Sequence, residues 1–200
     1  MARVKICGIF RKCDTDYVNA AMPDYAGFVF YPRSHRYVTD EAAQALRSSI
    51  DRHIATVGVF VDEPREHMLS LLDSGIINII QLHGHETDDD IAAIRRERPG
   101  IEIWKAFKIR GAEDAEAAEK SKADRILLDN GYGTGERFEW SYIKGIGRPF
   151  ILAGGLTCEN IDEAMDKISP WGVDVSSGVE TDGVKDFGKI RLITSAAKRR

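Results

Sequence analysis

Eight short apolar runs punctuate the chain at near-regular intervals: residues 3–9, 26–31, 56–61, 78–84, 102–109, 125–130, 149–155 and 172–178. Most are rich in Val, Ile and Phe, and they read as nearly continuous apolar stretches rather than strict alternation. That is the pattern of strands covered on both faces. Helical spacing fills the intervals, most plainly over 39–51, 63–75, 86–99 and 157–169. Thr39, Thr87 and Thr157 stand where N-terminal caps belong, and Gly75 and Pro99 follow helical stretches. Two intervals are less regular. Residues 13–24 carry little helical pattern, and residues 131–145 read as a loop with one helical turn.

Strands alternating with helices imply parallel β-α units. Spread over 200 residues, eight such units take about 25 residues each, enough for a strand, a helix and two short loops. The alternative, an open doubly wound sheet, usually has five or six strands at about this size. The strand count therefore predicts a (β/α)8 TIM barrel, an α/β fold. With no Pro/Ser-rich linker to divide it, the expectation is one domain over residues 1–200.

Charge and composition narrow the function. With 28 Lys and Arg against 32 Asp and Glu the net charge is −4, so no basic surface calls for nucleic acid. Hydrophobic residues make up 43% of the chain, which suits a packed core and not a disordered segment. No apolar run approaches the roughly 18 residues of a membrane span. Charges interrupt the first 14 residues too often for a secretory signal. Three cysteines, Cys7, Cys13 and Cys158, make no disulfide framework, so free thiols in a reducing cytoplasm are expected.

Active sites of such barrels form at the C-terminal ends of the strands. Cys7 and Gly8 end the first strand, Gln81 to Gly84 the fourth, Asp129 the sixth, Gly154 and Gly155 the seventh, and Ser176, Ser177 and Gly178 the eighth. The loops after strands seven and eight commonly bind phosphate, and glycines there let backbone N–H groups close on an anion. Ser177 and Gly178 are placed to open a short helix that adds donors. Strand alternation turns Lys5 and Cys7 inward and Val4 and Ile6 outward, with Lys5 one layer below the thiol. Asp174 on strand eight is its expected partner, because closure sets strands one and eight side by side. A nearby cation such as Lys5 would lower the thiol pKa.

Asp129 closes an apolar strand, a costly place for a carboxylate without a use or a partner. Arg33 and Arg36 both lie in a basic, aromatic loop suited to gripping a ligand carboxylate. Gly133, in the glycine-rich loop after strand six, is a candidate lining residue, as are Gln81 and His83. His83 and His85 alone do not make a metal site, and no metal is expected.

These residues fall within stretches that resemble the phosphoribosylanthranilate isomerase family. The matches run in the family's order nearly end to end: Lys5-Ile6-Cys7-Gly8, Gly27 to Ser34, Arg36-Tyr37-Val38, Val57 to Val61, Gln81-Leu82-His83-Gly84, Trp104-Lys105-Ala106, Leu127-Leu128-Asp129, Gly133-Thr134-Gly135, Leu152 to Leu156, Val173 to Glu180, and Lys185-Asp186. The chain departs from the family at Phe10, Cys13, Glu139 and Gly183-Val184. The resemblance implies Cys7 as general base, Asp129 as general acid, and Arg36 as the anchor of the anthranilate carboxylate. It implies a phosphate site at Gly154, Gly155, Ser177 and Gly178.

The implied reaction is the Amadori rearrangement of N-(5-phosphoribosyl)anthranilate in tryptophan biosynthesis. It changes no net oxidation level, since C1 is reduced as C2 is oxidised, and it expels no group, so no cofactor is expected. The expected partner is a small phosphosugar, with no nucleic acid and no membrane, bound by a monomer or homodimer. Two alternatives stay open. One is a phosphosugar-binding barrel without catalysis. The other is a related isomerase acting on an aminoimidazole phosphoribosyl substrate, whose second phosphate would need a further site near strands three and four.

Overall fold

The computed structural model describes residues 1–129 and 140–199. Eight parallel strands close into a barrel in chain order: β1 (Arg3–Cys7), β2 (Tyr25–Val29), β3 (Ala55–Phe60), β4 (Ile79–Leu82), β5 (Glu102–Lys108), β6 (Arg125–Asp129), β7 (Phe150–Leu152) and β8 (Gly172–Val175). The seam is the β1–β8 pair, with Val4 opposite Val173 and Lys5 opposite Asp174. Six helices cross between strands: α1 (Lys12–Ala21), α2 (Asp40–Arg47), α3 (Arg65–Asp73), α4 (Asp88–Glu97), α5 (Ala112–Lys120) and α6 (Ile161–Ile168). Beyond β8 come a three-residue 3-10 turn (Ser177–Val179), a small hairpin of β9 (Glu180–Thr181) and β10 (Val184–Lys185), and α7 (Phe187–Lys198). Among the described residues, the β6–β7 crossover holds a single 3-10 turn, Trp140–Ile143.

Strand parity divides the core into two layers. Val4, Ile6, Phe28, Phe60, Ile80, Ile103, Ile126, Leu128 and Val173 face the helices in one large cluster. Val57, Ile79, Trp104, Ala106, Leu127, Ile151 and Ala153 fill the barrel interior in a second. The observed strands are shorter than the apolar runs. β1 stops at Cys7 because Gly8 turns out with φ +76°, a conformation that side chains rarely adopt. Thr39 and Thr87 cap α2 and α4 as expected, and Thr87 completes a capping box with Asp90.

Two helices differ from the reading of the sequence. The ten-residue helix α1 (Lys12–Ala21) takes up most of residues 13–24, and its buried face is Asp14, Thr15 and Val18. Two polar residues at buried positions erase the apolar stripe. Asp14 is nevertheless satisfied, because it accepts from the Phe10 and Arg11 amides and from the Arg11 guanidinium. Thr157 does not cap α6, which begins at Ile161 behind Asn160. Thr157 opens the preceding turn, where its amide donates to Asn160 Oδ1 at 2.8 Å.

Candidate active site

The C-terminal rim opens on a cavity of about 390 Å³. Its wall brings together Cys7, Arg36, Gln81, His83, Asp129, Gly154, Gly155, Ser177 and Gly178. Gly133 and its glycine-rich neighbours lie outside the described residues. Arg33 is exposed and does not line the cavity, so of the two arginines the loop directs Arg36 inward.

Cys7 is buried at the tip of β1. Gly27, beside it on β2, makes the room, because a Cβ there would lie 2.9 Å from the Cys7 Sγ. One layer below, Lys5 meets Asp174 at 2.8 Å, as the closed seam predicts. Burial works against the charge on Lys5, but Asp174 and Cys7 together outweigh it and hold its pKa above the ordinary lysine value. The thiol does not end up lowered. Burial pushes the Cys7 pKa up, and the opposing pull of Lys5 is not enough to reverse it. The other oxygen of Asp174, Oδ1, is buried with no hydrogen-bond partner among the described residues, and Asp174 also lines the cavity.

Asp129 ends β6, and His83 Nε2 lies 3.4 Å from its Oδ2. Gln81 Nε2 stands 3.2 Å from the other ring nitrogen of His83. With that amide donating to Nδ1, the neutral ring carries its proton on Nε2, facing the carboxylate. His83 and His85 therefore part company: His85 is exposed and holds Asp62 at 2.9 Å. Among the described residues no group of three His, Cys, Asp or Glu is arranged to hold a metal.

The far end of the cavity is backbone. Gly154 and Gly155 take φ of +75° and +67°. A Cβ on Gly178 would sit 1.8 Å from the Leu156 carbonyl oxygen, so the loop after β8 rests directly on the loop after β7. Asn160 fixes that second loop by donating to the Gly155 carbonyl at 2.7 Å. Among the described residues the N–H groups of Gly155 and Gly178 meet no protein acceptor. They border the cavity and suit an anion. The short helix expected here is a single 3-10 turn, Ser177–Val179.

Arg36 forms a bidentate pair with Glu180, Nε at 2.6 Å and Nη2 at 2.7 Å. Lys185 reaches the same carboxylate at 2.6 Å from β10. Glu180 and Lys185 had drawn no functional reading from the sequence. Both fall in stretches that match the family, and they carry opposite charge on the two strands of a short hairpin that directly follows the Ser-Ser-Gly turn. Of the departures from the family pattern, Gly183 takes the positive φ of that hairpin's turn, Cys13 lies on α1, and Glu139 falls outside the described residues.

Residues 4–196 match the family described as N-(5'phosphoribosyl)anthranilate (PRA) isomerase. An N-(5'-phosphoribosyl)anthranilate isomerase of Thermoanaerobacter pseudethanolicus is 43% identical over 198 residues, covering 96% of this chain and 95% of the relative. One from Lacticaseibacillus casei is 42% identical over 198 residues, covering 99% and 96%. The solved phosphoribosyl anthranilate isomerase of Thermotoga maritima superposes with a TM-score of 0.90 at 38% identity, with both chains fully covered. A second solved isomerase, in complex with reduced 1-(o-carboxyphenylamino)-1-deoxyribulose 5-phosphate, gives 0.88 at 36% identity, again with full coverage of both. With a closed β/α barrel and a matching sequence from end to end, the chain belongs to the N-(5'-phosphoribosyl)anthranilate isomerase family.

Proposed function

We propose that this barrel converts N-(5'-phosphoribosyl)anthranilate into 1-(2-carboxyphenylamino)-1-deoxyribulose 5-phosphate, a step of tryptophan biosynthesis. The observation that carries the reading is one cavity holding four separate functions. A thiol on β1 and a carboxylate on β6, three strands apart around the barrel, share the cavity wall with the glycine loops after β7 and β8 and with the Arg36 guanidinium.

The cradle of Gly154, Gly155, Ser177 and Gly178 holds the phosphate, and Arg36 holds the anthranilate carboxylate through the Nη1 end that Glu180 leaves open. Two anchors fix the flexible sugar between acid and base, so remote binding serves orientation. Asp129, entering as the carboxylic acid, gives its proton to the furanose ring oxygen as the C1–O bond breaks. The nitrogen lone pair forms the Schiff base. Cys7, as thiolate, removes the C2 proton, and that electron pair gives the enolamine. Tautomerisation to the ketone puts a proton on C1 and removes one from the C2 hydroxyl, so no proton or electron is gained overall. Lys5, beneath the thiol, favours its ionised form. The reaction takes place in the cytoplasm, which suits the three unpaired cysteines.

The test is turnover with N-(5'-phosphoribosyl)anthranilate, followed as loss of substrate fluorescence. First-order decay to completion in proportion to enzyme is expected. Saturable binding without decay would overturn the catalytic reading and leave a phosphosugar-binding barrel.

A further inference from the structure

The guanidinium assigned to the substrate's carboxylate is already engaged. Glu180 takes its Nε and Nη2 edge. An arginine neutralised in this way is a weak anchor for a second carboxylate, because the attraction of one charge is largely cancelled by the other. Lys185 resolves the conflict. Its side chain has no solvent exposure, and it donates to Glu180 Oε1 at 2.6 Å and to the Ser176 carbonyl at 3.1 Å. Ser176 in turn donates from Oγ to the Cys7 carbonyl at 3.1 Å. Arg11 fixes the backbone here by donating to the Lys185 carbonyl at 2.9 Å. His35 stands 4.0 Å from Glu180 on the solvent side.

Two cations thus flank one anion, and the cluster keeps one net positive charge at the carboxylate end of the cavity. Resting on the function proposed above, we propose that Glu180 and Lys185 are positioning residues for that reaction. Glu180 aims Arg36, and Lys185 restores the charge that Glu180 cancels, so the three side chains act as a single monocationic carboxylate receptor. The geometry explains why a carboxylate is tolerated against the anchor at all. Burial opposes the charge on Glu180, yet Arg36 and Lys185 outweigh it and keep Glu180 below the ordinary glutamate range, while burial, only partly offset by Glu180, holds Lys185 below the ordinary lysine value.

The experiment compares two ligands on the full-length enzyme by calorimetry. One is reduced 1-(o-carboxyphenylamino)-1-deoxyribulose 5-phosphate, and the other is its phenylamino counterpart without the carboxylate. Lys185→Met should bind the carboxylate ligand about tenfold more weakly and the other ligand unchanged, the loss expected of one partly shielded charge. Glu180→Gln should bind the carboxylate ligand at least as tightly as the parent while kcat falls, because charge is gained and aim is lost. Opposite signs in the two variants are what a merely structural role does not give. If both variants weaken both ligands alike, or if the two ligands keep their parental ratio in Lys185→Met, the inference is wrong. If Lys185→Met does not fold, Glu180→Gln decides by the same comparison. If the parent enzyme binds neither ligand, it is the proposed function that fails instead.

Discussion

Replacing Lys5 by Met removes one half of an ion pair whose members are 1% and 9% exposed, set 2.8 Å apart. Asp174 is then left with a buried charge and no partner for either oxygen, since Oδ1 has none already. Breaking a buried pair from one side costs about 3–5 kcal/mol. At roughly 2–4 °C per kcal/mol for a chain of this size, Tm should fall by about 6–20 °C. The double variant Lys5→Met/Asp174→Leu removes both charges and should regain most of that loss, ending within about 1–2 kcal/mol of the parent. Because the folded-state pKa of Lys5 is raised, the pair's stabilisation is complete at neutral pH and is lost only as pH rises through that raised value. The assay is denaturant unfolding of the parent, both single variants and the double at pH 7. Additive losses would refute the coupling, and so would a Lys5→Met cost below about 1 kcal/mol. A kinetic arm is independent of stability. Lys5 pulls the Cys7 pKa down against burial, so in Lys5→Met the alkaline-rising limb of kcat/KM should move to higher pH. An unmoved limb would remove Lys5 from any part in thiol ionisation.

Cys7→Ser should lower kcat by more than about 10²-fold, and Asp129→Asn by a similar factor with the dissociation constant of the reduced product analogue nearly kept; near-parental turnover in both would withdraw the acid and base roles. Gly178→Ala drives a methyl group onto the Leu156 carbonyl, so it should cost about 1–3 kcal/mol by denaturant unfolding and abolish competitive inhibition by inorganic phosphate. His67 bridges Asp40 at 2.9 Å and Glu63 at 2.7 Å, with the edges of the Phe30 and Phe60 rings beside it. Burial opposes its charge, but the two carboxylates win and raise its pKa above 6.5, so its contribution is full below about pH 6.5 and fades as pH rises through the raised value. His67→Gln should therefore lose a few degrees more Tm at about pH 5.5 than at pH 8.5, and an equal loss at both would show packing alone.

Eight strands were readable because each is buried on both faces, which leaves an unbroken apolar run in sequence. The inward placement of Lys5 and Cys7 followed from the period of two along β1, and the pairing with Asp174 followed from closure. α1 was hidden because the face it buries carries Asp14 and Thr15, so its contacts are hydrogen bonds that hydropathy does not register. The candidate site divides along the same line. Cys7, Asp129 and the glycines end strands or follow them directly, where position alone argues for them. The hold of Glu180 on Arg36 joins residues 144 positions apart through loop geometry, and no local pattern encodes that distance. Nor does local sequence report the balance of burial against Lys5 at the thiol, which depends on how deeply Gly27 lets Cys7 sit.

The seam between β1 and β8 also bears on how the chain reaches its fold. Its ion pair joins residues 169 positions apart, so Lys5 waits for its partner until nearly all the other strands exist. Until then β1 is an open edge, a template on which another chain's strand would pair. An inward-pointing lysine makes such pairing costly, because a foreign strand would bury the ammonium without a carboxylate. Asp174 lifts that cost when β8 docks in register. The buried charge that opposes mispairing during assembly thus becomes the lock of the finished barrel, and Lys5→Met should aggregate more during refolding than its equilibrium stability alone would dictate.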